Sequence, residues 1–135
     1  MIIYPFKAVL PKRKLVSNPN RLAEKAKYYF PKYFQKGDFK QVKKAGIYVY
    51  EITTPFGAHL GFVAQTDLQE FINKNIKPHE KTLKPKEKVS KGLLLNRGAM
   101  VKPVLVCHLP NKDLTALLKR HRDHHSPSLT VKLSE

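Results

Sequence analysis

Hydrophobic and polar residues alternate most clearly in two short runs near the middle of the chain. GIYVYEITT (residues 46–54) and HLGFVAQ (residues 59–65) both have the period of two that is typical of strands, and Pro55-Phe56-Gly57 between them favours a turn. A third, more apolar run, VKPVLVCHL (residues 101–109), predicts a further strand, with Val104–His108 in the same sheet. The pattern therefore predicts a central antiparallel hairpin within one sheet.

Helical periodicity and capping residues predict helices on both sides of this hairpin. The expected helices are Arg21 to Phe30, ended near Pro31; Asp67 to Asn73, capped by Thr66 with Gln69 in a capping box; Pro85 to about Leu95, ended by Gly98; and a helix capped by Asn111 that runs to about Arg122.

Weaker patterns complete the predicted fold. Ile2 to Val9 is expected to form a strand at a sheet edge, because Pro5 cannot donate a ladder hydrogen bond. Ser128 to Leu133 is expected to add a closing strand. We therefore predict one α+β domain over residues 1–135, with a mixed or antiparallel sheet, a central hairpin and flanking helices.

Composition limits the classes of function. The formal net charge of +16 favours polyanionic or phosphorylated partners, although lysine outnumbers arginine and sequence-specific base recognition usually relies on arginine. No apolar run approaches the roughly 20 residues that span a bilayer, and the first charges follow the apolar start, unlike in a signal peptide. We expect a cytoplasmic protein without membrane contact, in which the only cysteine, Cys107, is a buried and inert thiol.

The main candidate site lies in NIKPHEKTLKPKEK, residues 75–88. His79 and Glu80 are candidate catalytic residues as an acid/base pair, and four neighbours are candidates for binding a phosphate or carboxylate: Lys77, Lys81, Thr82 and Lys84. A zinc-protease helix is excluded because Leu83 stands where the second histidine would be. The alternative interpretation is a solvated basic loop in which Glu80 reduces the repulsion between lysines.

Two other groups of residues have weaker chemical interpretations. His121 and His125 have the i, i+4 spacing of zinc ligands, yet a frayed polar helix end also fits them, so we predict no metal site. Cys107 and His108 would point to opposite faces of a strand, which disfavours a Cys/His nucleophile. Five aromatic residues interleaved with lysines favour either anchoring to a small core or base stacking: Tyr28, Tyr29, Phe30, Tyr33 and Phe34.

The stretch Ile76-Lys77-Pro78-His79-Glu80-Lys81-Thr82 resembles the I-x-x-HE-x-T signature of a bacterial family, domain of unknown function family 1015. That family is distantly similar to the ParB/sulfiredoxin-like fold. Further segments resemble the family in the same order, well over about residues 40–112 and loosely at the start: residues 5–8 (PFKA), 46–51 (GIYVYE), 61–64 (GFVA) and 100–111.

This chain departs from the family pattern mainly after the HE-x-T stretch. The family is typically much longer, and it carries an Asp-Gly-His-His-Arg signature that relatives place beside phosphates. Here only Arg122-Asp123-His124-His125 is similar, and the residues after the loop, Lys86 to Ser90, keep little of the family's acidic stretch. The resemblance therefore implies a short, N-terminal-lobe version that handles phosphate without the whole catalytic site.

Three functional hypotheses follow from the residues and the resemblance together. The first is a module that is not catalytic by itself and binds an anion or phosphorylated metabolite, or a partner chain that completes the site. The second is a small phosphotransferase or phosphohydrolase, similar to a serine kinase, that uses His79 and Glu80. The third is a basic protein associated with nucleic acid. The sequence identifies no cofactor.

Overall fold

Short antiparallel strands and five helices make up the part of the chain that the computed structural model describes, namely residues 1–12, 18–78, 83–100 and 103–132. The strands are β1 (Ile3–Tyr4), β2 (Val9–Pro11), β3 (Phe39–Gln41), β4 (Tyr48–Thr54), β5 (Gly57–Val63) and β6 (Gln65–Thr66). The helices are α1 (Pro19–Tyr28), α2 (Phe30–Gln35), α3 (Gln69–Ile72), α4 (Lys84–Arg97) and α5 (Lys112–His124). The predicted α+β class is confirmed.

The strands pair as β1 with β6, β2 with β3 and β4 with β5, and each pair is antiparallel. The chain divides into two compact units. The hairpin unit comprises residues 1–7, 43–76 and 105–128, and the lysine-rich unit comprises residues 8–42, 77–104 and 129–135. That residues 1–135 form one domain stays a prediction.

The central hairpin of the hairpin unit is confirmed. β4 and β5 pair from Tyr48 opposite Val63 to Thr54 opposite Gly57, so two residues, Pro55 and Phe56, form the connection. The Thr54 hydroxyl accepts a hydrogen bond from the Phe56 amide at 3.2 Å and donates one to the Gly57 carbonyl at 3.0 Å. These side-chain contacts fix the turn and therefore the register of both strands.

Gly61 in β5 faces Tyr50 in β4 directly. A Cβ atom at Gly61 would lie 2.6 to 2.8 Å from three atoms of the Tyr50 side chain, closer than real Cβ contacts allow. The tyrosine side chain therefore packs directly on the glycine backbone. This contact partly replaces the side-chain packing that a glycine in a strand lacks.

The other elements of the hairpin unit attach to β4 and to its flanks. Helix α5 is capped as predicted, since the Asn111 side chain accepts a hydrogen bond from the Leu114 amide at 2.9 Å. It contacts both strands of the hairpin. The Phe6 and Tyr48 rings meet edge to face with centroids 5.0 Å apart, and the Tyr48 hydroxyl donates to the Phe6 carbonyl. These contacts hold the start of the chain against β4.

The predicted capping box around α3 is wrong. Thr66 lies in β6, and its hydroxyl donates to the Ile2 carbonyl at 2.9 Å. The N-cap residue is Leu68, which supplies no capping side chain, and the Asp67 carboxylate accepts from the Gln69 amide at 2.9 Å in the turn before the helix. Pairing with β1 keeps Thr66 extended, so the helix starts later and is shorter than its capping residues suggested.

The lysine-rich unit is built around Phe39, which is buried in β3. The Phe30 ring of α2 packs on it with centroids 5.3 Å apart. Helix α1 begins at Pro19 rather than Arg21, with the Asn18 side chain accepting from the Arg21 amide. Pro31 does not follow this helix but lies in the first turn of α2, a position that a proline tolerates because its missing N–H has no helical partner there.

A buried ion pair joins α1 to the turn before β3. The Lys25 ammonium lies 3.4 Å from an Asp38 carboxylate oxygen, and both residues are buried. The same ammonium lies 4.1 Å from the centre of the Tyr33 ring. A buried ammonium needs such partners, because its desolvation is costly when it is unpaired.

The predicted helix after the candidate loop is confirmed with small shifts at its ends. Helix α4 runs from Lys84 to Arg97 with Pro85 in its first turn. Gly98 ends it with φ 64°, the left-handed conformation that glycine adopts without steric cost.

The predicted strand around Val104–His108 is wrong. Residues 103–110 are in no helix or strand, and most of the apolar side chains there are solvent-exposed, Leu109 by 87%. Cys107 is exposed as well, so the prediction of a buried thiol is also wrong. An apolar run becomes a buried strand only where a neighbour pairs its backbone, and none of the described strands does so here.

The predicted closing strand is wrong over residues 128–132, which lie outside every strand, while Leu133 lies outside the described residues. Among the helices of the described residues, none has the length and apolar character needed to cross a membrane.

Candidate anion-binding loop

The loop after α3 is fixed at its beginning by contacts within the hairpin unit. Ile76, the first residue of the I-x-x-HE-x-T stretch, is only 5% exposed, and its amide donates to the Glu70 carbonyl at 3.1 Å. The Asn75 side chain reaches the Glu70 carboxylate at 3.3 Å. Lys74 has φ 61°, which turns the chain sharply at this point. Ile76 therefore anchors the beginning of the loop to the hairpin unit.

The other end of the loop is the start of α4. Leu83 precedes the helix and has no side-chain group that caps it, and the first helical hydrogen bond runs from the Glu87 amide to the Leu83 carbonyl at 3.1 Å. Lys84 and Lys86 are exposed in the first turn. Leu83 itself supplies no capping oxygen, and the first N–H groups of a helix, together with the positive end of its dipole, favour an anion.

The predicted site residues are only partly described. Lys77 and Lys84 are exposed at the two ends of the loop. His79, Glu80, Lys81 and Thr82 lie outside the described residues. Their roles as acid/base pair and anion ligands stay predictions. Glu70, which holds the loop's beginning, was not foreseen, because nothing in the sequence distinguishes it from other surface glutamates.

Two of the C-terminal histidines contact backbone carbonyls at the end of α5. The His121 and His125 rings stack with centroids 4.2 Å apart. His125 Nδ1 lies 2.9 Å from the His121 carbonyl, and His124 Nδ1 lies 2.8 Å from the Arg120 carbonyl. Each contact supplies a partner for one of the last carbonyls of α5. Among the described residues, no group of three or more His, Cys, Asp or Glu side chains is placed to hold a metal ion.

Arg122 joins the end of α5 to the hairpin. Its guanidinium donates to Asp123 at 2.8 Å and to Glu51 at 3.0 Å. Hydrogen bonds to Asp123 and then to Glu51 raise the pKa of Arg122 above its usual value. The segment from Arg122 to His125 therefore contributes contacts within the hairpin unit, although it resembles part of a phosphate-site signature. Glu51 and Arg122 are 71 positions apart, so their pairing has no local sequence signal.

The two units differ strongly in charge. The lysine-rich unit contains eighteen of the 26 Lys and Arg residues and five of the ten Asp and Glu residues, so it carries +13 of the formal +16. Both described lysines of the candidate loop, Lys77 and Lys84, belong to this unit. The field that attracts anions is therefore concentrated in one unit rather than spread evenly along the chain.

A family model described as "Protein of unknown function (DUF1015)" matches residues 3–135. The chain belongs to the DUF1015 family. The match extends the resemblance beyond residues 40–112, to both the start of the chain and its C-terminal helix. No curated protein and no solved structure matches the chain.

Two residues in the segments that resemble the DUF1015 family have clear structural roles. Ile76 in the I-x-x-HE-x-T stretch is buried, and Gly61 in the second hairpin strand accommodates the Tyr50 side chain. The family description itself assigns no substrate or reaction. A relation to the ParB/sulfiredoxin-like fold and a short N-terminal-lobe form stay predictions.

Proposed function

We propose that this DUF1015 protein is an anion-binding module that takes a phosphorylated small molecule at the loop between Lys77 and Lys84. The observation that carries the proposal is the start of α4, where a helix of 14 residues begins directly after the HE-x-T stretch and its N-cap residue, Leu83, makes no side-chain cap within the described part of the chain. Phosphate oxygens accept hydrogen bonds from such N–H groups, and the helix dipole favours their negative charge.

The positive charge of the lysines around the loop also favours a phosphorylated ligand. Lys77 and Lys84 are exposed at its ends, and the sequence places Lys81 between them. The lysines supply positive charge, and the proposed role of His79 is to donate a proton to a phosphate oxygen. We place this binding in the cytoplasm, where phosphorylated metabolites are abundant.

Binding without turnover is the form of the function that we favour. Phosphoryl transfer needs a positioned base and a second group that neutralises the transferred phosphate. The segment that resembles such a group, around Arg122, is engaged in ion pairs within the hairpin unit. We therefore propose that a partner chain completes the site. A phosphotransferase that uses His79 and Glu80 is the alternative.

An NMR titration with inorganic phosphate tests the proposal. We expect phosphate to shift the imidazole resonances of His79, and His79→Ala with Glu80→Gln to weaken binding with little change in Tm. His59→Ala is the matched control, because His59 is exposed on β5. A double variant that binds phosphate as the parent does would overturn the proposal. Turnover of a phosphorylated substrate by the parent, lost in this double variant, would favour the enzyme.

Leu83→Asp tests the helix start separately. An aspartate before α4 would cap the helix and stabilise it by about 0.5–2 kcal/mol. It would also occupy the N–H groups and repel a phosphate, so binding should weaken while stability increases. Leu83→Ala, which removes an exposed side chain without adding a cap, is the control. Unchanged phosphate affinity in Leu83→Asp would place the anion elsewhere.

A further inference from the structure

Three tyrosines at the junction of α1 and α2 form a connected group in the lysine-rich unit. Tyr28 and Tyr29 meet edge to face with ring centroids 6.4 Å apart, and Tyr29 meets Tyr33 at the same distance. Lys27 lies 4.8 Å from the Tyr28 ring centre, and Lys36 lies 5.9 Å from that of Tyr33. We name these five residues the tyrosine surface.

Tyr33 lies beside the buried Lys25 ammonium, but the other two rings of the tyrosine surface are not part of the core of its unit. Core anchoring in this segment is performed by Phe30, which packs on the buried Phe39. Tyr28 and Tyr29 remain 57% and 50% exposed. Of the two explanations for this aromatic run, anchoring therefore accounts for Phe30 but not for the two exposed tyrosines.

We propose that the tyrosine surface binds single-stranded nucleic acid. Unpaired bases stack on exposed aromatic rings whatever their sequence, and neighbouring lysines neutralise the phosphates. Both features occur together on α1 and α2, in the unit that carries +13 of the net charge. This charge complementarity distinguishes a polyanion from a second copy of the chain, which would be repelled.

The same residues indicate which nucleic acid binds and how selectively. Rings stack on bases that are not already stacked and paired, so a single strand is favoured over a duplex. Arg21 is the only arginine of α1 and α2, and bidentate contacts from arginine are the commonest means of reading guanine. Binding should therefore have weak sequence preference. An anionic membrane surface is the competing occupant, and vesicles are therefore included in the test below.

Fluorescence anisotropy with a labelled oligothymidine of about 12 nucleotides tests the proposal, since this length is within the usual site size of such proteins. Tyr28→Ala with Tyr29→Ala should weaken binding by about tenfold or more, whereas the corresponding double substitution by phenylalanine should keep it. The control is Phe56→Ala, because Phe56 is 98% exposed but lies in the weakly charged hairpin unit. The chain contains no tryptophan, so quenching of tyrosine fluorescence gives a second readout.

Several outcomes would overturn the proposal. Parental affinity in the double alanine variant, with an unchanged Tm, would leave only lysine electrostatics. Equally tight binding of a duplex of the same length would refute stacking on unpaired bases. Binding of anionic lipid vesicles through Tyr28 and Tyr29, without binding of the oligonucleotide, would assign the surface to a membrane. Loss of binding in Phe56→Ala to the same extent would show that the effect is not specific to these rings.

Discussion

The contact between Gly61 and Tyr50 makes a sharp prediction about the hairpin. Gly61→Ala would place a Cβ atom 2.6 Å from the nearest Tyr50 ring atom, whereas ordinary contacts begin at 3.4 Å. The tyrosine ring must therefore move by about 0.8 Å, and overpacking of this kind costs about 1–3 kcal/mol. The ring is the outer end of a side chain that can rotate, so we expect the lower part of that range.

A second contribution of Gly61→Ala to the free energy of unfolding has the opposite sign. Glycine in the interior of a strand is destabilising by roughly 0.5–1 kcal/mol relative to alanine, because it loses more backbone entropy on folding. In the parent chain, the clash should outweigh this gain. In a Tyr50→Thr background, where the ring is absent, Gly61→Ala should stabilise the hairpin unit by about 0.5–1 kcal/mol. The predicted effect of one substitution therefore changes sign with the residue opposite it.

Urea denaturation followed by far-UV circular dichroism measures the four members of this double-mutant cycle, and amide hydrogen exchange in β5 localises the effect. The cycle isolates the coupling between the two residues, provided that Tyr50→Thr does not change the register. If Gly61→Ala is destabilising by the same amount in both backgrounds, the tyrosine is not the reason for the glycine, and our interpretation of this position is wrong.

Three further predictions concern other described residues. Asp38→Asn should destabilise the lysine-rich unit by about 3 kcal/mol in urea denaturation, because it removes the carboxylate beside the buried Lys25 ammonium. Adding Lys25→Met should recover part of this loss of stability, and the absence of any recovery would contradict this account. Cys107 should react with a thiol reagent in the native protein as fast as after denaturation, and protection in the native state would contradict its exposure. Affinity for duplex DNA should fall steeply with salt and show little base preference; a reproducible preference of roughly tenfold for one sequence would refute non-specific binding.

The sequence predicted the elements whose determinants are local. The hairpin between residues 46 and 65 has alternation and a turn, Asn111 is a capping residue beside a helical pattern, and Gly98 is a residue that ends helices without strain. Each of these signals lies within a few residues of the structure that it determines, and each was confirmed.

Predictions that depended on distant partners failed or could not be made. Thr66 has the sequence of a helix cap, but pairing with the start of the chain keeps it in a strand. Val104–His108 has the composition of a strand, yet composition does not supply the neighbour that a strand requires. In the same way, the ion pair between Glu51 and Arg122 depends on how α5 packs on the hairpin, which no local pattern encodes.

The state of residues 104–109 has a consequence for the handling of this protein. The segment is a short run of valine, leucine and cysteine, interrupted only by His108 and without an internal proline, and its side chains are largely in contact with water. Such segments form intermolecular cross-β contacts readily, because identical copies can pair their backbones and interdigitate their side chains. Lys112 and the basic residues that follow on α5 are expected to oppose such pairing through repulsion between copies. Salt that screens this repulsion should therefore promote aggregation, and storage at low ionic strength should delay it.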